Sequence, residues 1–187
     1  EARLLCSKIF KPRDVTEALM EYWTPTFNNW EICDSFSMGL YSKSSFAVKK
    51  INEWSLRYPE FEKRAAFATM ASYCMADKKA SNDVYEAFFS LIKREAIDER
   101  LYVKKAVNWA LRSLGKRNID LNKQAIKLAY EIEQIENKAA KWIARDIRAK
   151  GYLFKSYANN KNRLRPVKIN KSNFKISKGI SNDQIME

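Results

Sequence analysis

Apolar residues return every three or four positions along nearly the whole chain, and no run alternates apolar and polar residues over the length of a strand. That spacing suits the stripe of a helix and not the face of a sheet. Helix breakers are also few, with 4 Gly and 4 Pro in 187 residues. The chain is therefore expected to be all-α. "DVTEALMEYW" opens on Asp14 with Glu17 three residues later, a capping-box pattern, and Pro25 follows its end. The next helix is predicted from Asn28 or Asn29 to about Gly39. In "SSFAVKKINEWSLR", Phe46, Val48, Ile51 and Trp54 fall near one face. Pro59 leads into "EFEKRAAFATMASYCMA", where Phe61, Ala65, Ala68 and Ala71 or Ser72 recur at helical spacing. Ser81 or Asn82 is predicted to cap "DVYEAFFSLIKREA". Asp98 is predicted to cap "ERLYVKKAVNWALRSLGKR", which ends near Gly115, a suitable C′ residue. "NKQAIKLAYEIEQI" and "NKAAKWIARDIRAKG" complete the set.

The chain also resembles itself. "KRAAFATMA", "KKAVNWALR" and "NKAAKWIAR" share a base, small residues, then an aromatic or apolar residue and another Ala. Their leading alanines, Ala65, Ala106 and Ala139, lie 41 and 33 residues apart. Small residues let helices pack closely. Two helices per unit at a period of roughly 35–45 residues is the spacing of a HEAT-like α-solenoid. The alternative is an ordinary helical bundle with fortuitous Ala pairs.

Charge narrows the partner. The net charge is +13, unevenly spread. Residues 150–187 carry 9 Lys and Arg against 2 acids, a net of +7; residues 1–149 carry 26 against 20, a net of +6. A basic body with a more basic tail suits a polyanion, most often nucleic acid, although a solvated basic surface has the same composition. The organisation expected is a helical repeat domain over 1–150 and a basic tail over 151–187. In the tail, Tyr157 and Phe174 interleave with bases, a pattern that fits non-specific nucleic-acid binding or a plain extension. Histidine is absent, which removes His bases, His-assisted nucleophiles and His-containing zinc sites. Cys6, Cys33 and Cys74 have no CxxC spacing and are expected to be unpaired thiols in a reducing compartment, cytoplasmic or nuclear rather than secreted. No apolar run is long enough to span a membrane. The chain opens without Met in a helical pattern, so the numbering is expected to start inside a longer protein.

Four residues stand out: Trp30, Asp34, Arg64 and Trp109. Each also has an ordinary explanation. A lone Trp on an amphipathic helix usually fills a core. Asp34 in "NNWEICDSF" could be a solvated carboxylate, and Arg64 could pair with Glu60 one turn earlier.

Together with their surroundings they resemble a family. "NNWEICDSF", "FEKRAAFATMA", "DERLYVKKAVNWALRSLGKRN" and "NKAAKWIARD" are similar to the DNA alkylation repair glycosylases built of HEAT-like repeats, the AlkD-like family. The resemblance runs from residue 1 to about residue 150, and "VKKAVNWALRSLGKRN" is its most specific part. "EARLL" resembles a segment that follows earlier helices in the family, so the chain is expected to lack those helices. The resemblance implies excision of cationic N3- and N7-alkylpurines from double-stranded DNA by a monofunctional glycosylase. It implies little base flipping and contact with the sugar-phosphate face. It makes Asp34 the catalytic carboxylate, Trp30 and Trp109 the rings that hold the nucleotide, and Arg64 a phosphate contact. Lys104, Lys105, Arg112, Lys116, Arg117, Arg145 and Arg148 are expected along the DNA backbone. No metal and no cofactor is expected, and a monomer is. The expected shape is a curved right-handed array with these residues on a basic concave face. Two other classes remain open: a HEAT-like module that grips nucleic acid without chemistry, and a protein scaffold.

Overall fold

The computed structural model describes residues 2–77 and 80–149; the basic tail lies outside the described residues. Within them are nine α-helices and no strand: α1 (Ala2–Ile9), α2 (Glu17–Trp23), α3 (Trp30–Gly39), α4 (Ala47–Trp54), α5 (Glu60–Ala76), α6 (Asn82–Glu95), α7 (Leu101–Gly115), α8 (Ile119–Glu133) and α9 (Lys138–Ala149).

The helices form two layers. The odd-numbered helices pack in sequence, α1 on α3, α3 on α5, α5 on α7 and α7 on α9. The even-numbered helices lie behind them, α4 on α5, α6 on α7 and α8 on α9. This is the HEAT-like repeat arrangement. The recurrent alanines are what let the odd layer close: Ala65, Ala106 and Ala139 are all buried, and α5 against α7 is the most extensive contact. Packed helix axes lie about 8–10 Å apart, and small side chains allow the lower figure. α1 also comes close to α3 at Gly39, where a Cβ would stand 3.0 Å from the Ser7 carbonyl oxygen. α5 is the centre of the molecule. Every residue from Arg64 to Ser72 is buried, so its periodic stripe widens to the whole helix.

Several boundaries differ from the sequence expectation. α2 is capped by Thr16, whose Oγ1 accepts from the Leu19 N–H at 3.2 Å, while Asp14 ends a short 3₁₀ turn. Asn29 does cap α3, accepting from Ile32 at 3.0 Å. α7 starts at Leu101 because Asp98 turns to the Arg100 N–H, and Glu60 of the preceding odd helix accepts from the Tyr102 N–H at 3.0 Å. Ser81 stands before α6 without a side-chain cap bond. Gly115 is the last residue of α7 rather than beyond it; its carbonyl accepts from Asn122 Nδ2 at 2.7 Å.

α4 holds the largest surprise. Its buried face is Ala47, Lys50, Ile51 and Trp54, with Phe46 and Val48 only half-buried. Lys50 is 2% exposed and its ammonium meets Glu17 at 2.8 Å, Glu21 at 2.7 Å and Glu53 at 2.6 Å. Glu21 also accepts from Trp54 Nε1 at 3.0 Å and pairs with Arg57. One cation thus ties α2 to α4.

Candidate functional site

α3 sorts its residues by turn. Ile32, Cys33, Phe36 and Ser37 face the core. Trp30, Asp34 and Met38, four residues apart, make the open side, with Trp30 51% exposed. The Asn29 cap sets this phase by fixing where the first turn begins.

Asp34 is not solvated alone. Arg64 of α5 grips it with two parallel bonds, Nε to Oδ1 at 2.9 Å and Nη2 to Oδ2 at 2.7 Å. The third guanidinium nitrogen, Nη1, donates to the Tyr102 carbonyl of α7 at 2.8 Å. The side chain of Arg64 is 7% exposed and that of Asp34 17%. Three consecutive odd helices are therefore joined through one guanidinium, and the carboxylate remains partly open. Burial pushes the Asp34 carboxyl above its ordinary range, and the Arg64 bonds and charge pull it back down.

Two sequence expectations change here. Arg64 does not pair with Glu60, which is occupied at the Tyr102 N–H. Nor does Arg64 reach outward as a phosphate contact: it is buried, and each of its three nitrogens donates inward, to Asp34 or Tyr102. Tyr102 escaped sequence reasoning because its part is played by a backbone carbonyl, and no side-chain signal marks that. Its ring also sits beside Phe61, centroids 5.3 Å apart.

Trp109 stands on α7 two turns beyond Tyr102, about 10 Å along the axis. It is half-buried, one side against the core. The exposed side of α7 reads Leu101, Lys105, Trp109, Arg112, Lys116, a single stripe at spacings of four, four, three and four. The remaining basic residues divide. Lys105, Lys116 and Arg145 are exposed, and Lys116 borders an open cavity of about 580 Å³. Arg112 is half-buried, 3.8 Å from Asp146. Lys104 lies over the Trp142 ring, 5.3 Å from its centroid. Arg148 forks onto Glu133 and lies over Tyr130. Arg117 departs from expectation: it donates to the Cys74 and Asp77 carbonyls and stacks 3.7 Å from the Tyr85 ring centroid, so it fastens α7 to α5 and α6 rather than facing a backbone.

The three cysteines are unpaired. Burial pushes the Cys74 thiol up to about 12, and raises that of Cys33 too. Both are packing residues, not nucleophiles. Among the described residues no group of His, Cys, Asp and Glu is arranged to hold a metal, and no helix is long and apolar enough to cross a membrane.

The family model for the DNA alkylation repair enzyme matches residues 1–147. The chain belongs to that family. As a DNA alkylation repair family member it has a DNA repair role, with DNA as the partner its basic surface fits. A solved structure agrees in fold at a TM-score of 0.66 and 18% identity, covering 81% of this chain and 69% of the other. That neighbour is described as one of a new family of proteins related to the HEAT-like repeat DNA glycosylases, with affinity for branched DNA structures. Among curated proteins none matches this DNA alkylation repair family member significantly.

Proposed function

We propose that this chain excises cationic N3- and N7-alkylated purines from duplex DNA by hydrolysing the N-glycosidic bond. The observation that carries the reading is the Asp34 carboxylate, fixed by Arg64 and left partly open one turn from an exposed Trp30.

The chemistry suits a site without histidine. An alkylated purine already bears a positive charge, so it leaves as a neutral base and needs little protonation. As the C1′–N bond breaks, its electron pair goes to the base and positive charge develops on the sugar. A fixed carboxylate stabilises that charge more than it stabilises the ground state, which is the condition for catalysis. Arg64 spends part of the field of Asp34, but it removes the reorganisation a mobile carboxylate would need. Each carboxylate oxygen keeps a second lone pair, enough to orient the water whose oxygen bonds to C1′ and to take the proton that this water gives up as its O–H bond breaks. Indole faces at Trp30 and Trp109 attract the same cation, by roughly 0.5–2 kcal/mol each. Lys105, Arg112, Lys116 and Arg145 supply the phosphate contacts.

Single-turnover release of 7-methylguanine, with a parallel binding titration, tests this. Asp34→Asn keeps size and hydrogen-bonding capacity but loses the charge, so release should fall about 10²–10³-fold while binding persists. Wild-type release by Asp34→Asn removes the carboxylate from the chemistry. The second reading is DNA binding without excision, favoured by the branched-DNA affinity of the structural neighbour. Tight binding with no base release by the wild-type chain selects it.

A further inference from the structure

Resting on the DNA reading above, we propose that α9 carries a second nucleotide-binding stripe, Lys138–Trp142–Arg145, that grips the strand flanking the lesion. The motif repeats that of α7 position for position. Lys105, Trp109 and Arg112 recur as Lys138, Trp142 and Arg145, each 33 residues later and with the same spacings of four and three. The alanines that follow each leading base, Ala106 and Ala139, are both buried, so the two helices present the stripe in the same phase.

Packing of the repeat does not demand the stripe. In α5 the equivalent positions, 41 residues before those of α7, are Arg64, Ala68 and Ala71, all buried. On α9 all three residues are exposed. Trp142 keeps 36% of its surface open, an unusual place for an indole unless something covers it. Lys104 of α7 reaches across to the ring, 5.3 Å from its centroid, within cation–π range. An indole flanked by three cations has the makeup of a nucleotide site: a sugar or base packs on the ring and phosphates meet the bases. An acidic peptide would pair with the cations but make little use of the ring. Packed helices lie about 8–10 Å apart. With a rise of about 3.4 Å per residue in one strand, the second stripe falls about three nucleotides from the nucleotide at Trp109.

The test uses the full chain, duplex DNA with a central 7-methylguanine, and the variants Trp142→Ala and Trp142→Phe. Two further duplexes stop short of the third pair from the lesion, one on each side. Trp142→Ala should bind the long duplex about tenfold more weakly, the usual range for a lost stacking contact, and Trp142→Phe should recover most of it. One truncation should cost the wild type a similar factor and cost Trp142→Ala almost nothing more. Binding by Trp142→Ala within twofold of wild type overturns the proposal, as does an equal loss on all three duplexes. A wild-type chain that binds no duplex overturns the DNA reading itself, which this comparison separates from failure of the α9 stripe alone. An unchanged thermal midpoint in both variants ties the loss to the surface.

Discussion

On the proposed function, Arg64 sets how Asp34 works. A buried arginine whose three nitrogens each donate to Asp34 or Tyr102 would act through the carboxylate, as a positioning residue. Replacing it with Met keeps the stem and removes the fork. Burial then acts on Asp34 unopposed, so the carboxyl must rise further from a value already above 3.8. On the proposed function, base release needs the ionised form and should be lost as pH falls through this pKa. The acid limb of the rate–pH profile should therefore move upward in Arg64→Met. The neutral-pH rate should fall by about 10²-fold, the cost of poor placement by about 1 Å. Lys cannot restore it, because an ammonium has no planar fork. An acid limb identical to wild type would show that Arg64 does not control Asp34. The salt dependence of binding, by contrast, should change little, since the guanidinium is not at the surface.

At the scale of elements, the Lys50 cluster fixes α4 against α2. Three bonds to Lys50, Arg57 and Trp54 outweigh the effect of burial on Glu21 and hold its carboxyl at about 2, against an ordinary 4.5. A lowered carboxylate stabilises the fold above its unfolded pKa, and that support fades as pH drops from 4.5 towards 2. Lys50→Met leaves Glu17, Glu21 and Glu53 facing one another. The carboxylates are about a third exposed, so solvent relieves part of the repulsion, and a loss of about 2 kcal/mol is expected at pH 7. Urea unfolding should show that gap shrinking at pH 3; a gap that is constant with pH would place the cost in packing alone.

For the whole molecule, the proposed function makes DNA binding an electrostatic sum over basic residues of α7 and α9. If Lys105, Arg112, Lys116 and Arg145 each meet a phosphate, as proposed, the log–log salt slope should be about −3.6, and a fourfold rise in salt should weaken binding about 150-fold. Arg145→Gln should reduce the slope by about 1. Arg117→Gln should leave the slope alone and lower the thermal midpoint, because its partners are the Cys74 and Asp77 carbonyls and the Tyr85 ring. A slope change in Arg117→Gln would return that residue to the interface.

The helices, their order and the small-residue repeat were legible in the chain itself. Periodicity and caps are local, and Ala65, Ala106 and Ala139 announce close packing wherever they lie. Trp30 and Asp34 were legible for the same reason, since one helical turn joins them. The partners of charged side chains were not. Arg64 lies 30 residues from Asp34 and 38 from Tyr102, and four residues from Glu60, which local reasoning favours. Only the stacking of α3, α5 and α7 brings the distant acceptors into reach of a buried guanidinium that must satisfy its donors. The same holds for Lys50, which reads as a surface lysine on α4 until α2 closes over it with Glu17 and Glu21. A sequence carries the period of a helix; which charges are buried, and against what, is settled when the layers meet, because desolvation exists only in the packed molecule.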